Sequence, residues 1–140
     1  MLELMKETGN CSYSNIERPV SGHILMAEDY KITQDVVSEF LEYLGFEVAL
    51  ANNGVEALAA FQENDFDLVL TDLQMPAMDG LTLAGHIKKR SPYTPIILMT
   101  GSDKETLLDQ KVKKSVDSVI YKPFLMEELQ RTIHEALGLI

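Results

Sequence analysis

From His23 onward, short apolar runs alternate with amphipathic stretches. "HILMA" (23–27) is a short apolar run of the kind buried on both faces of a sheet. Ile32, Val36, Val37, Phe40, Leu41 and Leu44 then fall on one helical stripe, which Gly45 closes. "FEVALA" (46–51) reads as a second strand. Asn53-Gly54 is a hairpin signal on its own, but no alternating run follows it. Val55, Leu58 and Ala59 fit a helix better, with Asn53 as its cap. "DLVLTD" (67–72) is a third strand, and "LTLAGHIKKR" (81–90) a helix whose basic end suits the macrodipole. "PIILMT" (95–100), "DKETLLDQKVKK" (103–114) and "DSVIY" (117–121) continue as strand, helix and strand. Leu125, Leu129, Ile133 and Leu137 recur every four residues, and Gly138 closes a fifth helix. Five strand–helix units in strict alternation predict an α/β fold, a parallel sheet with helices on both faces. Residues 1–22 break the pattern: they are polar and punctuated by Gly9, Pro19 and Gly22. They read as a tail or linker, with a short helical turn in Leu2–Lys6, ahead of a domain at 23–140.

Composition narrows the function classes. A chain of 140 residues suits one domain with a single core. Acidic residues outnumber basic ones by 22 to 12, giving a formal net charge of -10. Such a surface repels phosphate backbones, so direct binding of nucleic acid is not expected. Lys111, Lys113 and Lys114 form a basic cluster that reads as a solvated helix face. Cys11 is the only cysteine, which rules out an internal disulfide or a cysteine metal site and points to a reducing, cytoplasmic setting. No apolar run approaches the roughly 18 residues of a membrane span. "MLELMKETGN" lacks the core of a signal peptide, and no membrane contact is expected. His23, His86 and His134 have no metal-ligand spacing and do not read as phosphodonors.

In a parallel sheet the usual site lies at the carboxyl ends of the strands. Glu28 and Asp29 follow the first strand, Asp72 ends the third, Thr100 ends the fourth, and Lys122-Pro123 follows the fifth. The sheet would gather three carboxylates, a hydroxyl and an ammonium at one edge. Two charges about 4 Å apart interact by roughly 4 kcal/mol at an effective dielectric of 20. The carboxylates therefore need cations or protons. Lys122 supplies one positive charge, and hard oxygen ligands open to water suit Mg²⁺, or Mn²⁺ in its place. Such a set can hold a phosphoryl group while Asp72 attacks phosphorus.

The segments "AEDY", "TDLQMPAMDG", "LMTGS" and "YKPF", in this order and each at a strand end, resemble those of the response-regulator receiver domains of two-component signalling. The resemblance spans about His23 to Leu137. It implies a flavodoxin-like, doubly wound (βα)5 fold with strand order 2-1-3-4-5. It implies that Asp72 is the phosphoacceptor, and that Glu28 and Asp29 are the metal-binding acidic pair, Asp29 the direct ligand. The backbone carbonyl of Gln74 would complete the metal ligands. Thr100 would be the hydroxyl that reports phosphorylation, and Lys122 the lysine that pairs with the phosphoryl group. The Lys122–Pro123 bond is often cis in this family. A histidine kinase or histidine phosphotransfer protein would be the donor, docking near the first helix, and a separate output partner would read the switch.

Receivers usually carry an aromatic residue three positions before the strand-five lysine, where this chain has Val119. Tyr121 lies two residues on and points to the same side of the strand, so either it partly replaces the missing ring or output runs through backbone shifts instead. Gln74 and Ser102 flank the expected phosphoryl group, and both are neutral. A haloacid-dehalogenase-type enzyme would need an acid where Gln74 stands. A flavin module would need a neutral phosphate loop where "AEDYK" is acidic. An interaction-only pseudo-receiver would lack part of the set. A stand-alone regulator and the receiver of a hybrid kinase both fit the chain.

Overall fold

The computed structural model describes residues 22–101 and 114–139. Nine elements follow one another along them: β1 (His23–Ala27), α1 (Lys31–Tyr43), β2 (Glu47–Ala51), α2 (Gly54–Glu63), β3 (Leu68–Asp72), α3 (Gly80–Arg90), β4 (Ile96–Thr100), β5 (Ser118–Tyr121) and α4 (Met126–Ala136). The tail expected over residues 1–22, apart from Gly22, lies outside the described residues, as do Ser102 and nearly all of the helix expected over 103–114.

All strand pairs are parallel, in the order β2-β1-β3-β4-β5, which is the doubly wound, flavodoxin-like order. The three central strands, β1, β3 and β4, read as largely apolar runs because both faces are covered. Ile24, Met26, Leu68, Leu70, Ile97 and Met99 face α1 and α4, meeting Val37, Leu41, Leu129 and Ile133. Leu25, Ala27, Val69, Ile96 and Leu98 face α2 and α3, meeting Ala57, Phe61, Leu83 and Ile87.

The helix ends follow local chemistry. The Asn53 side chain accepts from the Glu56 N–H at 2.8 Å, and the Asp79 side chain accepts from the Thr82 N–H at 2.8 Å. Gly45, with φ 104°, ends α1 in a Schellman motif: its N–H reaches the Glu42 carbonyl and the Phe46 N–H reaches that of Leu41. Gly138, with φ 73°, does the same for α4.

Three helical stripes differ from the sequence expectation. On α1 the buried residues are Gln34, Val37 and Leu41, whereas Ile32 and Val36 are 61% and 51% exposed. The apolar residues of α1 span two adjacent stripes, and only one can meet the sheet. On α2, Gly54, Ala57 and Phe61 are buried while Val55 is exposed. Leu125 is the exposed N-cap of α4 rather than part of its core stripe.

The loop after β3 contains a γ-turn. The Met78 N–H donates to the Pro76 carbonyl at 2.8 Å, around Ala77 at φ 71°. A side chain in this left-handed region costs about 1–2 kcal/mol. Ala77→Gly is expected to stabilise the fold by about 0.5–1 kcal/mol, net of the added freedom of the unfolded chain. Urea unfolding measures this, and a loss of stability would contradict it.

Candidate functional site

Strand register builds the site. Ala27 pairs with Thr71, so Glu28 and Asp29 emerge from β1 beside Asp72 at the end of β3. Asp72 pairs with Met99, and Thr100 pairs with Tyr121, which brings Lys122 to the same edge. The Lys122 N–H donates to the Thr100 carbonyl at 2.8 Å, extending that pairing by one step.

Carboxylate oxygens of Glu28, Asp29 and Asp72 all lie within 4.8 Å of one another. The Lys122 ammonium bridges two of them, donating to Glu28 Oε1 at 3.1 Å and Asp72 Oδ2 at 3.2 Å. The second oxygen of each is also bonded: Glu28 Oε2 accepts from the Tyr30 N–H at 3.0 Å, and Asp72 Oδ1 from the Leu73 N–H at 2.8 Å. Glu28 is wholly buried, whereas Asp29 is exposed. Two carboxyl groups oriented by the chain, plus one facing solvent, form a hard, acidic oxygen set that fits Mg²⁺.

Burial pushes the Glu28 carboxyl above its ordinary range, and the nearby Asp72 charge adds to this against the Tyr30 N–H and Lys122. Burial alone would pull Lys122 down, but hydrogen bonds and attraction from Glu28 and Asp72 outweigh it and hold the ammonium above its usual range. Both shifts have the same sign for stability. The folded state holds the Glu28 proton more tightly than the unfolded state, so this contribution is full below the ordinary value of 4.5 and is lost as pH rises through the raised one. That of Lys122 is full below 10.5 and is lost only in the alkaline range above it. The metal-free protein is expected to lose thermal stability as pH rises above 4.5 and through the raised Glu28 range, and Glu28→Gln to flatten that slope. Equal slopes in thermal melts of the two proteins would contradict this.

Thr100 is buried at the end of β4. Gln74 is exposed, two residues beyond Asp72. Val119 and Tyr121 both pack against the α2–α3 side of the sheet, as strand alternation requires. The Lys122–Pro123 peptide is cis.

Two site features were not anticipated. Gln34 is buried beneath the acidic pair, and Asn52 joins it from the β2–α2 loop. No local signal marked it: Gln34 stands three and seven residues before Val37 and Leu41, but apolarity does not separate that stripe from the one carrying Ile32 and Val36. The apolar groove beside Lys122, lined by Ile32, Val36, Pro123 and Phe124, arises from the exposed stripe of α1.

The chain belongs to the response regulator receiver domain family, whose model matches residues 24–134. It is a receiver domain of two-component signalling. Among curated relatives it is similar to the uncharacterized transcriptional regulatory protein YkoG of Bacillus subtilis, with 38% identity covering 83% of this chain and 51% of that protein. It is similar to the autoinducer 1 sensor kinase/phosphatase LuxN of Vibrio campbellii, with 34% identity covering 79% of this chain and 13% of that one. The chain thus spans about half of one relative and a small part of the other. Among solved structures it resembles the response regulator TrrA of Thermotoga maritima in complex with Mg²⁺-BeF, with a TM-score of 0.77 and 32% identity over 82% of this chain and 98% of that one. No helix among the described residues is long and apolar enough to cross a membrane.

Proposed function

We propose that Asp72 accepts a phosphoryl group from a histidine kinase or a histidine phosphotransfer protein, and that this switches the affinity of the domain for an output partner. The observation that carries the reading is the Lys122 bridge between Glu28 and Asp72, at 3.1 and 3.2 Å, inside a cluster of three carboxylates. An Asp72 oxygen bonds to phosphorus as the bond from phosphorus to the donor imidazole nitrogen breaks, and the electron pair stays on the imidazole. The Leu73 N–H fixes the carboxylate plane, and Lys122 stands ready to pair with a phosphoryl oxygen. Asp29, Asp72 and the Gln74 carbonyl would hold Mg²⁺, with Glu28 supporting from beneath; Mn²⁺ would serve in its place. When bound, the cation neutralises charge on the transferred group.

Thr100 is the assigned hydroxyl sensor. Val119 offers no ring to follow it, so Tyr121, its neighbour in register, is the assigned reporter on the α2–α3 side of the sheet. The donor docks at the groove of about 440 Å³ between α1 and the Pro123–Met126 segment, where Ile32 and Val36 expose apolar surface beside Lys122. The test is transfer to Asp72 from acetyl phosphate with Mg²⁺, using chelation as the control. A protein that folds, binds Mg²⁺ and forms no acyl phosphate from either a small donor or a phosphohistidine protein would refute the reading.

A further inference from the structure

Gln34 is only 4% exposed, and it lies on the helix face that otherwise carries Val37 and Leu41 into the core. A buried amide without partners costs free energy, so its contacts define what it is there to do. Its Nε2 group donates twice. One hydrogen bond goes to the main-chain carbonyl of Glu28, and the other to Asn52 Oδ1 at 2.9 Å. Asn52 is anchored in turn: its N–H and its Nδ2 both donate to Glu56 Oε1, at 2.9 and 3.2 Å. Glu56 lies in the first turn of α2, where its own N–H is capped by Asn53. The Glu28 N–H completes the clamp by donating to the Ala51 carbonyl at 3.0 Å.

The peptide joining Glu28 to Asp29 is therefore held at its carbonyl by α1 and at the preceding N–H by the end of β2. That peptide sets where the Asp29 carboxylate stands relative to Asp72. We propose that Gln34, backed by Asn52, is a positioning residue that pre-orients the Glu28-Asp29 pair for a divalent cation; this rests on the Mg²⁺ reading of the acidic cluster. Gln34 is neutral and offers the cation no direct contact in this role, so its effect comes through orientation of the ligands. Groups that orient metal ligands typically alter metal affinity by ten- to a hundredfold.

The experiment is a calorimetric titration of metal-free protein with Mg²⁺. Gln34→Met keeps length and neutrality but removes both donors. It is expected to raise the dissociation constant by about tenfold or more, with the folded state confirmed by its NMR spectrum. Asn52→Leu, at the looser end of the network, is expected to weaken Mg²⁺ binding less. The double variant is expected to be no weaker than Gln34→Met alone, because the two residues act as one unit. A folded Gln34→Met that binds Mg²⁺ as tightly as the parent would overturn the proposal even if its melting temperature falls. If Gln34→Met does not fold, unchanged affinity in Asn52→Leu overturns it instead, and weakened affinity supports it. A parent protein that binds no Mg²⁺ overturns both this inference and the reading on which it rests.

Discussion

Asp72→Asn is expected to reduce labelling by acetyl phosphate, or by a phosphohistidine donor, to background. The substitution keeps size and shape but replaces a carboxylate oxygen with an amide, which is not a nucleophile at neutral pH. It also removes one of the three charges that draw a cation to the edge of the sheet. The fold is expected to survive. The Leu73 N–H keeps an oxygen to donate to, Lys122 keeps its bond to Glu28, and the repulsions of Asp72 with Glu28 and Asp29 disappear. The measurement is alkali- and hydroxylamine-labile incorporation of phosphate beside a thermal melt of the same sample. Persistent labelling of a folded variant would place the phosphoryl group elsewhere.

The second large effect concerns Gly80, the first residue of α3. A Cβ there would lie far inside contact distance of the Asp72 carbonyl oxygen and would press on the Leu98 methyl at 3.0 Å. The obstacle is main chain on one side and a buried side chain on the other, so neither can move aside cheaply. The Gly80 N–H also donates to the Leu73 carbonyl at 2.8 Å, which ties α3 to the strand end carrying Asp72. Gly80→Ala is expected to cost about 3 kcal/mol or more and to displace Asp72 from Lys122. Gly85, five residues on in the same helix, is the internal control: a Cβ there meets nothing within 4 Å. Gly85→Ala is expected to stabilise by about 1 kcal/mol, the ordinary gain of alanine over glycine in a helix. Urea unfolding of the two variants decides the matter, and similar behaviour of the two would show that the close approach at Gly80 is not what constrains it.

Much of this architecture was legible because its causes are local. The three central strands are largely apolar runs, and the ends of all five fall within a residue of the observed ones. Asn53, Gly45 and Gly138 punctuate helices through bonds made within a few residues, so they could be named from sequence. The site residues were legible for a related reason. In a parallel sheet every strand ends at the same edge, so Glu28, Asp72, Thr100 and Lys122 needed only the strand pattern to be placed together. The side of each helix that turns inward was less legible. Ile32 and Val36 are as apolar as Val37 and Leu41, and nothing within α1 distinguishes the two stripes.

The sequence by itself determined the alternation of elements, the acidic and basic groups at the strand ends, and the absence of an aromatic residue at Val119. These follow from side-chain identity and backbone periodicity. Only the tertiary structure decided that Gln34 is buried and Ile32 is not. The Glu28 carbonyl and Asn52 lie 6 and 18 residues from Gln34 in the chain, and they become hydrogen-bond acceptors for it only once β1, β2 and α1 have come together. The same holds for Gly80, whose need to lack a side chain arises from a carbonyl eight residues away that a turn folds back onto it.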